Sequence, residues 1–230
     1  MGQKVDPRGL RIGINKTWSS RWYNKKNYKD ILRQDVEMNE YILKNYKGAA
    51  ISRVEIERSV AKIRIVIHTN RPGVLIGRGG KGLEDLRKKL ERKFLFNEKL
   101  QVQIDVNEVK TIEEDAQLLA DEAAMQIEKR MSFRRVMKMM IDKVMQNRNV
   151  DGIKVELAGR LGGAEMSRKE WLSKGNLPLH TMRANIDFAK STAFTTYGTI
   201  GVKVWLNKKH PLESRDEERG RRDHRRDYRR

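Results

Sequence analysis

Between Tyr28 and Tyr46 the apolar residues Ile31, Leu32, Met38, Ile42 and Tyr46 return at intervals that suit one helix or two short ones. The period then changes to two. Val54 and Ile56, followed by Ile63, Ile65 and Ile67, alternate with Arg53, Glu55, Glu57, Arg64 and His68, the pattern of strands with one buried face. A glycine-rich stretch from Asn70 to Gly82 leads into a predicted helix over about 83–95, with Leu83, Leu86, Leu90 and Phe94 on one face and Arg87, Lys88 and Arg92 on the other. A third strand over 100–106 alternates without a break. Helix, two strands, a short helix, a glycine loop, a helix and a strand make a small α+β domain.

Thr111-Ile112-Glu113-Glu114 reads as a capping box, so a new helix is expected to start there and the domain boundary to fall near Glu108. That helix should bury Ile112, Ala116, Leu119, Ala120, Ala123 and Ile127. A second, after Ser132, should bury Phe133, Val136, Met137, Met140, Ile141, Val144 and Met145. Methionines at helical spacing are read as core rather than as a binding groove. Beyond Asp151-Gly152 the period returns to two: Ile153, Val155 and Leu157; Met182, Ala184, Ile186 and Phe188; Ile200, Val202, Val204 and Leu206. A turn at Gly159-Arg160-Leu161-Gly162-Gly163 precedes a weaker strand over 164–170. The fold class is therefore α+β twice over, the second domain having two helices packed on a roughly four-stranded, mostly antiparallel sheet. The expected division is a basic arm at 1–16, a first domain at 17–107, a second at 108–207 and a charged, disordered tail at 208–230.

Charge sharpens this picture. The 230 residues carry 50 Lys and Arg against 31 Asp and Glu, a formal net charge of +19, which points to a polyanionic partner. The absence of cysteine excludes disulfides, thiolate metal sites and cysteine nucleophiles, and fits a reducing compartment such as the cytoplasm. No apolar run is long enough for a membrane span and no signal peptide is expected at the start. The four histidines lack ligand spacing, and no catalytic motif is evident, so neither metal, cofactor nor small-molecule substrate is expected.

Four places carry chemistry. Gly77-Arg78-Gly79-Gly80 followed by Lys81 is a G-x-x-G turn at a helix start, where the bare backbone can approach a nucleic-acid strand while Arg78 and Lys81 supply charge, as in KH domains. Gly77, Gly79 and Gly82 also satisfy G-x-G-x-x-G, but Asn70 to Ile76 intervene between strand and glycines and no parallel βαβ run follows, so a dinucleotide site is set aside. The outer face of the second long helix, with Lys129, Arg130, Arg134, Arg135 and Lys138 and with Lys143 further along, is a candidate phosphate-tracking patch. A weaker cluster surrounds the hairpin: Arg160, Arg168, Lys169 and Lys174 beside Trp171. In residues 1–30, Trp18, Trp22, Tyr23 and Tyr28 interleave with eight cations; they either stack on bases or form an aromatic cluster tucked under the first helix.

Several motifs together resemble one family. Met1-Gly2-Gln3-Lys4-Val5-Asp6-Pro7, His68-Thr69-Asn70-Arg71-Pro72-Gly73, Phe133-Arg134-Arg135-Val136-Met137-Lys138, Gly159-Arg160-Leu161-Gly162-Gly163-Ala164-Glu165, Pro178-Leu179-His180-Thr181, Thr195-Thr196-Tyr197-Gly198 and Ile200-Gly201-Val202-Lys203-Val204-Trp205 are similar to the bacterial small-subunit ribosomal protein S-three family over about residues 1–207. The resemblance implies a type II KH domain followed by a family-specific domain in the head of the small subunit. It implies rRNA, mRNA and ribosomal proteins S-ten and S-fourteen as partners, and a ribosome-bound, cytoplasmic location. In that family the cations matching Arg134, Arg135 and Lys138 face incoming mRNA and help open its secondary structure. Lys4, Arg8, Arg11, Lys16, Arg160 and Arg168 become candidate rRNA contacts. The loop Arg78-Gly79-Gly80-Lys81-Gly82 is richer in glycine than the usual family loop.

Overall fold

A computed structural model describes residues 4–59, 62–95 and 101–209. It divides the chain into two compact units, Thr17–Ile112, and the amino-terminal residues to Lys16 together with the chain from Glu113 onward.

In the first unit, β1 (Ser20–Arg21), β2 (Ile51–Arg58), β3 (Lys62–Thr69) and β4 (Gln101–Glu108) form one sheet in that order, with α1 (Tyr28–Asn45), α2 (Pro72–Ile76) and α3 (Lys81–Phe94). β2 and β3 are antiparallel, while β3 and β4 run parallel in register from Lys62↔Gln101 to Thr69↔Glu108. Parallel neighbours need a crossover, and α2, the glycine turn and α3 supply it. Ile63, Ile65 and Ile67 are fully buried with Met38, Ile42, Leu75, Leu86 and Leu90, as the alternating pattern requires. Each such side chain contributes about 2 kcal/mol of transfer free energy. The region after Tyr28 is a single helix, and its buried Asp35 accepts from Trp22 Nε1 at 2.7 Å and Arg58 Nε at 2.7 Å. Trp22 is thus the aromatic held against α1, whereas Trp18, Tyr23 and Tyr28 stay exposed.

In the second unit, α4 (Ala116–Glu128) and α5 (Phe133–Met145) pack on a sheet of β5 (Val150–Gly159), β6 (Arg168–Gly175), β7 (Asn185–Thr195) and β8 (Gly198–Lys208). The strand order is β6-β5-β8-β7 and every pairing is antiparallel. α4 covers β7 and β8; α5 covers β5 and β6.

The structure departs from the sequence reading at four places. Helix α4 starts at Ala116, not at the expected box, because Asp115 caps it by accepting from the N–H groups of Gln117 (2.9 Å) and Leu118 (3.2 Å). Glu114 instead accepts from the side-chain amides of Asn147 and Asn149. The weak strand begins at Arg168 because Leu161–Gly163 forms a 3-10 turn and Arg160 ties the loop by donating to the carbonyls of Ala164 and Tyr197. Met182 and Ala184 precede β7, in a segment of turns. Lys208 ends β8 and donates to Asp187 at 3.1 Å, so it belongs to the sheet. The tail from 210 and the strand position Leu100 lie outside the described residues.

Candidate nucleic-acid interface

The glycine turn is built from the backbone. α2 ends at Gly77, Arg78–Gly80 makes a single 3-10 turn, and α3 opens at Lys81 with no side chain capping its amino terminus. Gly79 (φ 62°) and Gly80 (φ 79°) occupy the left-handed region that other residues enter at a cost. Gly82 is required for another reason: a Cβ there would lie 2.5 Å from the Leu75 carbonyl oxygen, so only glycine lets the first turn of α3 rest on the end of α2. The buried Leu75 anchors this corner, while Val74, Ile76, Arg78 and Lys81 face solvent. The result is an exposed cationic turn at a helix start with apolar side chains beside it, a form suited to a phosphate backbone. In the same unit a groove of ≈ 380 Å³ runs between α3 and the edge strand β4, lined in part by Lys62, Arg87, Gln101 and Gln103. The strand glutamines were not legible as groove residues, because only the parallel pairing of β4 beside β3 puts them at the sheet edge.

The second site is built from side chains. Val136, Met137, Met140, Ile141 and Val144 of α5 are buried, which turns Arg134, Arg135 and Lys138 outward. Arg134 is not independent. Its Nε and Nη2 each lie 3.4 Å from a Glu170 carboxylate oxygen, Arg168 Nε reaches the same carboxylate at 3.0 Å, and both guanidinium groups sit within 6 Å of the Phe133 ring centre. Arg135 and Lys138 make no ion pair or hydrogen bond among the described residues. The structure therefore gathers Arg168 to Arg134 from distant sequence, with Glu170 between them, and leaves two exposed cations unengaged beside the pair.

Other expected cations are placed differently. Lys129 and Arg130 lie in the connection between α4 and α5, where Arg130 takes φ 63°, and so are not part of the α5 face. Lys143 turns to Glu113 and Glu122. Lys169 pairs with Glu156 and Lys174 with Asp142. Arg160 is committed to two carbonyls of the hairpin.

The amino-terminal segment brings a correction. Arg11, expected to contact RNA, has no exposed surface: its guanidinium donates to the carbonyls of Pro7 (2.9 Å), Leu179 (3.1 Å), Thr181 (2.8 Å) and Ala184 (2.8 Å). Arginine fits this place because its planar fork satisfies several buried acceptors at once. Arg11 is a clamp that fastens the segment to the second unit. Lys16 pairs with Asp187 at 3.9 Å, and burial pushes that carboxyl up while Lys208 and Lys16 more than offset it, holding it below the usual carboxylate range. Arg8 is exposed, paired with Asp6 and placed over the Phe188 ring at 5.7 Å; Lys4 is exposed. Among the described residues no group of three His, Cys, Asp or Glu could hold a metal ion. Nor is any described helix long and apolar enough to cross a membrane.

Residues 37–114 match the family described as KH domain, and residues 123–206 the family described as Ribosomal protein S3, C-terminal domain. The chain is similar to small ribosomal subunit protein uS3 of Desulforudis audaxviator (strain MP104C), 49% identical over 216 residues that cover 94% of this chain and 97% of that protein. With uS3 of Syntrophomonas wolfei subsp. wolfei (strain DSM 2245B / Goettingen) it is 44% identical over 232 residues, covering 96% of this chain and 100% of the relative. With uS3 of Exiguobacterium sp. (strain ATCC BAA-1283 / AT1b) it is 48% identical over 206 residues, covering 90% and 92%.

Proposed function

Since the chain belongs to the small ribosomal subunit protein uS3 family, we infer that it is a structural, RNA-binding component of the small ribosomal subunit, ribosome-bound in the cytoplasm and not an enzyme. Within that role the outer face of α5 grips incoming mRNA where it enters the subunit. Arg135 and Lys138 meet successive phosphates, and Arg134, steadied by Glu170, lies beside them. The grip is passive: cations hold single strands more readily than a base-paired stem can be accommodated, and the movement of mRNA through the ribosome supplies the work of opening. The observation that carries this reading is the pair of exposed cations, Arg135 and Lys138, that have no partner among the described residues and stand next to Arg134 on one helix face. Phosphate contacts of this kind make log K fall with log salt by about 0.7 per contact on single strands.

The glycine turn, Gly77, Arg78, Gly79, Gly80 and Lys81, is assigned to RNA backbone. The exposed Lys4, Arg8 and Arg168, with the partly buried Lys16 and Arg160, are assigned to rRNA in the assembled subunit; Arg11 is withdrawn from that set. Ribosomal proteins S-ten and S-fourteen are the protein neighbours we assign.

The test is a chain in which Arg134, Arg135 and Lys138 are all replaced by Ala, assembled into small subunits. Unchanged sedimentation with small subunits through a high-salt wash is expected, together with slower translation of messages bearing stable stems and normal translation of unstructured ones. Equal rates on both messages would refute the grip.

A further inference from the structure

Trp171 has no part in the grip as described so far, yet its placement is unusual. β6 is an edge strand, and alternation along it turns Glu170 and Leu172 toward α5 and Trp171 toward the opposite face. There the Lys154 ammonium lies 4.8 Å from the Trp171 ring centre and 5.2 Å from that of Trp205. Trp205 is 8% exposed and packs on Phe188, whereas Trp171 is 56% exposed. A single exposed aromatic is ordinary. This one, however, stands on the edge strand, and together with Arg134, Lys138, Glu170 and Leu172 it lines a groove of ≈ 320 Å³ there, so a strand lying along α5 reaches the ring across that edge.

We propose that Trp171 is a base-stacking platform of the α5 grip, taking one nucleobase of a single strand whose phosphates lie along Arg134 and Lys138. The proposal rests on the reading of α5 as an RNA grip and adds to it a contact with the base. Lys154 occupies one side of the indole, and the exposed remainder is open to a base. The surroundings select a polyanion over an apolar or acidic-poor peptide. Arg134, Lys138 and Lys169 line the groove and Lys154 lies over the ring, while the two carboxylates nearby are already held, Glu170 by Arg134 and Arg168 and Glu156 by Lys169 and Lys203. Stacking also suits a site past which every sequence must move, since each base has a π face and none is selected. A strand gripped only at phosphates can slide and rotate; one stacked base fixes where it bends away from a stem.

Fluorescence anisotropy on the full-length chain tests this with two probes, a labelled twelve-nucleotide oligouridylate and an abasic ribose-phosphate oligomer of equal length. Trp171→Ala is expected to weaken oligouridylate binding about tenfold, Trp171→Phe to recover most of it, and neither to alter binding of the abasic oligomer or the salt slope. Wild-type affinity for oligouridylate in Trp171→Ala, with binding lost in the Arg134, Arg135 and Lys138 triple Ala variant, would overturn the platform and leave the grip standing. Equal losses on both probes in Trp171→Ala would overturn it by making Trp171 structural. A base-dependent loss in Trp171→Ala with undiminished binding by the triple variant would overturn the grip, and with it the placing of the stacked strand along Arg134 and Lys138.

Discussion

The amino-terminal segment and the outer face of α5 are both dense in cations, and the structure uses them in opposite ways. In the segment Arg11 is wholly buried on four backbone carbonyls, Lys16 lies against Asp187, and Arg8 is paired with Asp6. On α5, Arg135 and Lys138 stand exposed without partners among the described residues. A count of Lys and Arg therefore measures the field around the protein but not its capacity to hold phosphate, which depends on how many cations the fold leaves uncommitted.

The largest effect that would sharpen the contrast lies at Arg11. Arg11→Met leaves four carbonyls without their donor and should destabilise the chain by about 3 kcal/mol, read as a shift in the urea midpoint. The salt slope of RNA binding by the folded variant should not change; a reduced slope would break the contrast by making Arg11 a phosphate contact.

A smaller effect is expected at Asp187. Its carboxyl is held below the ordinary value of about 3.9, so the stability it confers is present above that value and is lost as pH falls through the lower folded-state value. Asp187→Asn should cost about 2 kcal/mol near neutral pH, and the gap to the unaltered chain should close in acid. A gap that stays constant from neutral pH to strong acid, followed by thermal unfolding, would contradict the charge pairing.

The smallest effect belongs to α5. Glu170→Gln removes the carboxylate shared by Arg134 and Arg168 and should tighten single-strand binding a fewfold, with about one more phosphate contact in the salt slope. These pairs are exposed, so stability should change by less than about 1 kcal/mol. Weaker binding would mean that Glu170 is needed to hold Arg134 in its working position.

Much of the architecture was legible because burial imposes a period: Ile63, Ile65 and Ile67 in β3 and Val136, Met140 and Val144 in α5 announce their inner faces without any knowledge of partners. The outward direction of Arg134, Arg135 and Lys138 followed from the same period. What stayed hidden depends on groups brought together from far along the chain. Arg11 is clamped by carbonyls of Leu179, Thr181 and Ala184, which no local pattern connects to it. Glu170 meets Arg134 only because β6 pairs with β5 beneath α5. Trp171 differs from Trp205 through strand order, an edge against an interior position. Nothing in the sequence sets Gly82 apart from the neighbouring glycines, yet a close approach between α2 and α3 requires it.

Contact between α5 and mRNA is what the proposed grip depends on. Its most direct measurement places a photo-crosslinking amino acid at Lys138 in small subunits carrying a defined message, and maps the attached RNA after irradiation. Crosslinks to the message at nucleotides that have yet to be decoded are expected. Crosslinks to rRNA alone, on subunits that hold the message in register, would contradict that contact.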